Sequence, residues 1–391
     1  MTNLKQFFYK QTKKNQFISA SLAILVIAII GTLILTHSHA AGPFVSLNSD
    51  QGNLTGPTSI KTSGSISDGK YVQFGSTGVG KDEGKPLYRV DAASSFDQYS
   101  DNSTWIKANI NRILAYPTFG NKYIAYGIPV LSYHDPNGPG TPIDLSTTTG
   151  FNQYMSLVNT DISNGYAGTF VDDVNFTACG ACFNTPANLA KAIAQIRVNH
   201  PGIIIEINTQ WHDLANIYNN PSNQYYSTLQ NMFSNVNQVD KEFGMGPTAG
   251  ITSVSDYEAF LTYVDYLHNR GIHIDLTADH NSTTSATMEY NTATYFLFND
   301  GGDYTNGENT VQNPTTQWPG FSVNLGNATS TKSKSSSGLF TRTFQHGVSY
   351  VVEPGGQTQT ITPPTGAKDI NGNAVSSFSL SQSQGKIIVL P

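Results

Sequence analysis

Beyond residue 86 the chain alternates short apolar runs with segments whose apolar residues recur every three or four positions. The runs at 87–90, 112–116, 125–132, 167–171, 203–207, 236–240, 272–277 and 294–298 have the length and apolar density of buried strands, whereas 151–164, 186–199, 224–234 and 255–270 carry the helical period. The clearest helix has Pro186 near its start, Leu189, Ile193 and Ile196 on one stripe, and Pro201-Gly202 beyond its end. In 255–270, Phe260, Val264 and Leu267 share a face and Gly271 supplies the cap. Strands alternating with helices at this spacing predict parallel βαβ units, and eight strands predict a (β/α)8 TIM barrel, with an open doubly wound α/β sheet as the alternative. After about residue 300 the texture changes to LFTRTFQHGVSYVVEP, QTQTITPP and GKIIVLP, short alternating segments between turn residues that predict a small C-terminal antiparallel β-domain. The expected organisation is an N-terminal signal or anchor at 1–40, a linker or β flap at 41–86, the barrel at 87–325 and the β-domain at 326–391.

The first forty residues contain Lys5, Lys10, Lys13 and Lys14, no acid, and an uncharged stretch over 17–36. This is the pattern of an export signal. The stretch is long enough to span a bilayer, yet Ser38-His39-Ala40 before Ala41 offers a small-x-small cleavage pattern, so cleaved and anchored forms both stand. Either way the lysines hold the N-terminus inside and send the rest outside. Without those four lysines the chain has 17 basic against 27 acidic residues, a net charge of −10, which excludes binding along a phosphate backbone. Charged residues make up only 12% of the chain against roughly a quarter in an average domain, with Tyr, Asn, Ser, Thr and Gly in their place. That composition suits a neutral polymeric partner such as a polysaccharide. The two cysteines, Cys179 and Cys182, lie in TACGAC, which in an exported chain reads as a short-loop disulfide; two sulfurs with no second pair argue against structural zinc there.

The stretch GYAGTFVDDVNF, from Gly165 to Phe176, organises the rest. A buried strand runs straight into Asp172 and Asp173, and an unpartnered buried carboxylate costs about 1–3 kcal/mol or more, so these acids are ligated, hydrogen-bonded or at work. In β/α folds the C-terminal strand ends form the cleft; the plainer reading of one of the pair is a cap on the next helix. Alternation along the strands places Glu206 with Asn208 in IIIEIN, Asp240 with Glu242 in VDKEFG, and His273, Asp275, Thr277 and Asp279 on one face. Carboxylates from several strands meeting at one mouth suit glycosidic hydrolysis, which needs a protonated acid for the leaving oxygen and a carboxylate that attacks or activates water. Tyr126, Tyr133 and Trp211 are candidates for stacking on sugar rings, with His134, Asn208, Asp240 and His280 as polar substrate contacts. His134, His212 and His280 follow three different strands and raise metal-assisted hydrolysis as a rival, but no HExxH-type spacing accompanies them and no metal or cofactor is expected.

On GYAGTFVDDVNF, IIIEIN and VDKEFG, and on the downstream FSVNLGNATS and GLFTRTFQHGVSYVVEPGG, the chain resembles the glycoside-hydrolase-like TIM-barrel families of bacterial exported proteins, and more distantly the polygalactosaminidase-type barrels. GKYVQFG, near residue 72, also resembles the closing strand of a carbohydrate-binding module, although no complete module precedes it. The hydrolase resemblance implies catalysis by the fourth-strand carboxylate, Asp172, and the sixth-strand carboxylate, Glu242, with Asp173, Glu206 and Asp279 as supporting acids. It leaves open whether Asp172 is nucleophile or base and which of the Asp pair faces the cleft. A carbohydrate-binding surface protein that kept the barrel without its chemistry is the reading from another class.

Overall fold

The structure, a computed structural model, describes residues 58–62, 70–74, 82–91, 103–138, 142–176, 184–277, 284–306 and 318–391. The expected export segment, the Cys179–Cys182 pair, Asp279 and His280 lie outside these residues. The chain divides into two compact units, one ending at Val79 and one starting at Gly80. In the first, β1 (Thr58–Thr62) and β2 (Lys70–Phe74) form an antiparallel pair with Ile60 opposite Val72.

In the second unit, among the described residues, eight strands form one parallel sheet in sequential order: β3 (Arg89–Asp91), β4 (Arg112–Ala115), β5 (Val130–His134), β6 (Gly168–Val171), β7 (Ile204–Asn208), β8 (Gln238–Lys241), β9 (His273–Thr277) and β10 (Tyr304–Asn306). A parallel bridge between Tyr88 and Thr305, with the Thr305 amide donating to the Leu87 carbonyl at 2.8 Å, joins the first strand to the last and closes the cylinder. The helices between them include α1 (Ser103–Asn109), α2 (Gly120–Ile124), α3 (Thr148–Ser163), α4 (Pro186–Asn199), α5 (Trp211–Tyr218), α6 (Tyr226–Phe233), α7 (Val254–His268) and α8 (Ser285–Phe298). Their starts follow local chemistry. Thr185 accepts from the Asn188 amide just before Pro186, and Ser253 with Asp256 closes a reciprocal capping box on α7. The strand expected at 294–298 is instead the last turn and a half of α8, and the eighth strand is Tyr304–Asn306. Helix α8 is buried on every side, from Glu289 through Phe298, because a second layer covers its outer face; it therefore lacks the one-sided apolar stripe by which helices are recognised.

That layer is the C-terminal sheet of β11 (Ser333–Lys334), β12 (Leu339–Phe344), β13 (Gly347–Val352) and β16 (Gln384–Val389), with a separate pair, β14 (Gln359–Ile361) and β15 (Phe378–Leu380). Polar groups fix the joint. Arg342 donates to the Phe296 and Asn299 carbonyls at the C-terminal end of α8, at 3.0 and 2.8 Å, and pairs with Glu83. Glu83 also accepts from the Ala328 amide, so residues just before β3 belong to this joint.

The barrel interior is apolar on one side and charged on the other. Leu114, Leu131 and Phe170 fill the β4–β6 side. Opposite them, the Arg89 guanidinium reaches Glu206 on β7, Asp240 on β8 at 3.4 Å and Asp275 on β9 at 3.1 Å, and its charge lies 5.4 Å from the centre of the Phe170 ring. Arg112 adds bonds to Glu206 and Gln238 and lies 3.8 Å from the centre of the Tyr304 ring. Two guanidiniums thus face three carboxyls. Burial raises the Asp240 pKa well above the usual carboxylate range despite the nearby Arg89. Breaking one partner of a buried ion cluster leaves uncompensated charge, typically costing about 3–5 kcal/mol. Arg89→Met is therefore expected to lower unfolding stability by about 3 kcal/mol or more in urea titrations, and an unchanged midpoint would show that the cluster contributes nothing.

Candidate active site

The C-terminal ends of β5 to β8 build the mouth. On β6, Phe170 points inward and Val171 outward, so Asp172 points inward again. Its carboxylate accepts from the Tyr133 hydroxyl on β5, from Asn208 Nδ2 on β7 at 2.8 Å, and from the Asp173 amide at 2.9 Å. Three donors from three places fix the direction of the carboxylate. Tyr133 is itself wedged between Phe170, stacked at 5.7 Å, and Tyr116, edge-on at 4.8 Å; burial and then the Asp172 charge raise the pKa of its hydroxyl.

Asp173 turns away by adopting φ +53°, a left-handed conformation that disfavours a side chain by roughly 1–2 kcal/mol. Its carbonyl, gripped by Asn137 Nδ2 at 3.0 Å and the Asn175 amide at 2.9 Å, holds the turn. The side chain then lines a cavity of about 280 Å³ between the loops after β6, β7 and β8, together with Asn208, Thr209, Trp211, Glu242 and Phe243. Thr209, which also lines it, is buried with its hydroxyl unpartnered. Trp211 is anchored by its Nε1 donating to the Ala249 carbonyl at 3.1 Å.

The loop after β8 is left-handed at Phe243, φ +67°, and at Gly244, φ +64°. Lys241 fastens it. The lysine points out of the barrel into the helix layer, and its Nζ donates to the Glu242 carbonyl at 2.8 Å and the Gly244 carbonyl at 2.7 Å, while the Gly244 amide donates to Thr277. This clamp turns Glu242 to the cavity and leaves Phe243 as one of the exposed large apolar side chains, 37% accessible on the rim. Burial lowers the Lys241 pKa to about 7, against the opposing pull of Asp240 and Glu242.

Asp172, Asp173, Asn208, Tyr133, Trp211 and Glu242 lie at one mouth. Glu206 and Asp240 sit one layer deeper, fully enclosed in the Arg89 cluster, and do not reach the cavity; the arginine occupies the place a cation would take among Glu206, Asp240 and Asp275. Tyr126 is corrected as a mouth residue. It precedes β5, whose first residue is Val130, and so lies toward the N-terminal end of the barrel, against Tyr123 and Lys107. His134 is corrected as a substrate contact, since alternation sends it outward, where it pairs with Asp161 of α3 at 2.8 Å. Asp135 was not singled out from the sequence, although the same alternation after Tyr133 marks it. Burial, and then the charges of Asp172 and Asp173, push its pKa up to about 6 against the backbone amide of Asn137. Burial and Asp172 also raise that of Asp173.

These features define a closed parallel β/α barrel with an acidic and aromatic mouth. No family model matches the chain, and no curated protein is significantly similar to it in sequence. Solved structures that overlay on it include the glycoside hydrolase domain of PelA from Pseudomonas aeruginosa, 13% identical over 59% of this chain and 97% of that one, with a TM-score of 0.39. An Anoxybacillus alpha-amylase is 9% identical over 80% and 99% with a TM-score of 0.48, and xylanase 10C from Cellvibrio japonicus is 10% identical over 62% and 67% with a TM-score of 0.44. At these identities and scores the overlays bear on neither substrate nor residue roles, and the barrel rests on the strand pairing itself.

The lowered Lys241 pKa predicts a pH dependence. Between about 7 and 10.5 the unfolded chain holds this proton and the folded chain does not, so stability rises with pH through that window and is unaffected by this group below it. The contribution between pH 7 and 9 is about 2 kcal/mol. It is expected in urea midpoints of the wild type and should vanish in Lys241→Met.

Proposed function

We propose that this chain is an exported glycoside hydrolase acting on a polysaccharide or oligosaccharide. One observation carries the reading: acids from the ends of β6 and β8 meet at one mouth, where Asp173 and Glu242 line the cavity and Asp172 is tied to the cavity residue Asn208. The cavity volume lies near the lower end of small-molecule pockets and fits a site for one or a few sugar units. Phe243 on the cavity rim, and Tyr116, exposed beside the Asp172 partner Tyr133, offer faces for the apolar side of a sugar ring.

Asp172, fixed by three donors, takes the role of nucleophile or base. Glu242 takes that of general acid, protonating the leaving oxygen. Asp173 aligns the substrate, and Asp135 sets the charge around Asp172. Both sit among neighbouring carboxylates that oppose further ionisation.

The purified protein, assayed on a panel of bacterial and plant polysaccharides, is expected to release reducing ends. Asp172→Asn and Glu242→Gln should each lower kcat by about 10²–10⁴-fold with folding intact. Asp135→Asn should retain turnover and remove an inflection near pH 6 from the kcat/KM profile. Hydrolysis that survives both Asp172→Asn and Glu242→Gln would overturn the assignment, and binding of a glycan without turnover would support the carbohydrate-binding reading.

Export rests on the basic start and the uncharged stretch at 17–36. Among the described residues no helix is long and apolar enough to cross a membrane. Mass analysis of the chain recovered from its producing cell should find it outside the cytoplasm, either shortened by about forty residues at a cleavage site of the signal-peptidase type or retained whole in the membrane. A full-length chain in the cytoplasm would remove export from the proposal.

A further inference from the structure

Away from the mouth, at the N-terminal end of the barrel, four side chains with metal-ligating atoms converge. His268 ends α7, His273 begins β9, and Asp300 and Asp303 flank the turn leading into β10. His268 Nε2 is 2.9 Å from Asp303 Oδ1, and His273 Nδ1 is 3.0 Å from Asp300 Oδ1. One ligand atom from each of the four lies within 4.8 Å of all the others.

We propose that this tetrad binds a divalent transition-metal ion of the zinc type, in a structural site that pins the closing strand of the barrel. The simpler account is two separate His–Asp pairs, and two features speak against it. Two independent pairs have no reason to bring all four ligand atoms together. His273 Nδ1, shielded from solvent and 3.0 Å from Asp300, makes no hydrogen bond of acceptable geometry, as a lone pair directed at an ion would not. The carboxylates are held from behind in the way metal ligands are: Asp303, wholly buried, accepts from the Ile274 and Asp300 amides at 2.8 and 3.0 Å, and Asp300 accepts from the Gly302 amide at 3.0 Å. A side chain at Gly302 would overlap the His273 ring, so glycine there leaves the imidazole its seat.

The donor set selects the ion. Two imidazole nitrogens and two carboxylate oxygens suit tetrahedral Zn²⁺, or Co²⁺ in its place, whereas Ca²⁺ and Mg²⁺ want oxygen ligands in greater number. Tetrahedral coordination needs ligand atoms about 3.3 Å apart, given metal–ligand distances near 2.0–2.1 Å; the pairs at 2.9 and 3.0 Å open slightly and the wider separations close by side-chain rotation. Four residues separate His268 from His273, a spacing used by structural zinc sites. Once bound, the ion would tie the α7–β9 turn to the α8–β10 turn, directly before the strand whose pairing through Thr305 closes the cylinder. Lying at the opposite end from Glu242, the site is independent of the proposed hydrolysis.

The test uses the full chain, stripped with chelator and titrated with Zn²⁺ and separately with Co²⁺. Expected are one equivalent of either ion per chain, a visible Co²⁺ spectrum of the tetrahedral type without thiolate charge transfer, and a Zn²⁺-dependent rise of ~4 °C or more in Tm. His273→Gln and Asp300→Asn alter the two more exposed members of the tetrad, 33% and 24% accessible, and each should weaken binding at least ~10-fold with the far-ultraviolet circular dichroism unchanged. Absence of stoichiometric binding to the wild type overturns the proposal. So does binding that both variants leave undiminished, or a Co²⁺ spectrum dominated by thiolate, since either would put the ion on other ligands.

Discussion

The Arg89 guanidinium is the constraint on which the barrel depends. It projects from the first strand across the axis to carboxyls on the fifth, sixth and seventh, so its charge is compensated only when the sheet has curled into a cylinder. Stranded at the start of an open sheet, it would leave three acids facing one another in a low-dielectric interior. Apolar packing on the β4–β6 side supplies cohesion without direction, whereas the ion cluster specifies which strands face each other. A metal ion among these acids would have to displace the arginine.

A fully satisfied layer beneath the mouth allows strain above it. Asp173 and Phe243, both left-handed without being glycine, flank the cavity from the loops after β6 and β8. Each is held by hydrogen bonds to neighbouring carbonyls, from Asn137 in one case and from Lys241 in the other. The outcome is divergence of the Asp pair: one carboxylate faces the axis under three donors and the other faces the cavity. Two adjacent residues of one kind thereby acquire different surroundings and different chemistry.

The C-terminal sheet and α8 extend the same dependence outward. The last barrel helix is apolar on all sides because the sheet covers it, and Arg342 satisfies carbonyls at the helix end that neither layer could reach with backbone groups. A barrel cut before residue 326 would expose that helix. The sheet is therefore an outer wall of the barrel core and is more than an appended module.

Much of this architecture is legible in the chain itself. The helix at Pro186–Asn199 declares its start, stripe and stop, and the apolar runs ending at Val171, Ile207 and Asp240 declare parallel strands. Alternation within those runs pointed Asn208 and Glu242 toward a mouth, because a two-residue period is a local property of extended backbone, and left open which of Asp172 and Asp173 joins them. Local periodicity cannot report what lies on the far side of an element, and so α8 read as a strand and Tyr126 as a mouth residue until the covering sheet and the true start of β5 were in place. Nor could it separate Glu206, enclosed by two arginines from distant strands, from Glu242 above it, or foresee that a left-handed turn divides Asp172 from Asp173. The sequence determined which residues alternate and where elements begin; ring closure determined which charges meet, because burial and partner charge depend on residues far apart in the chain.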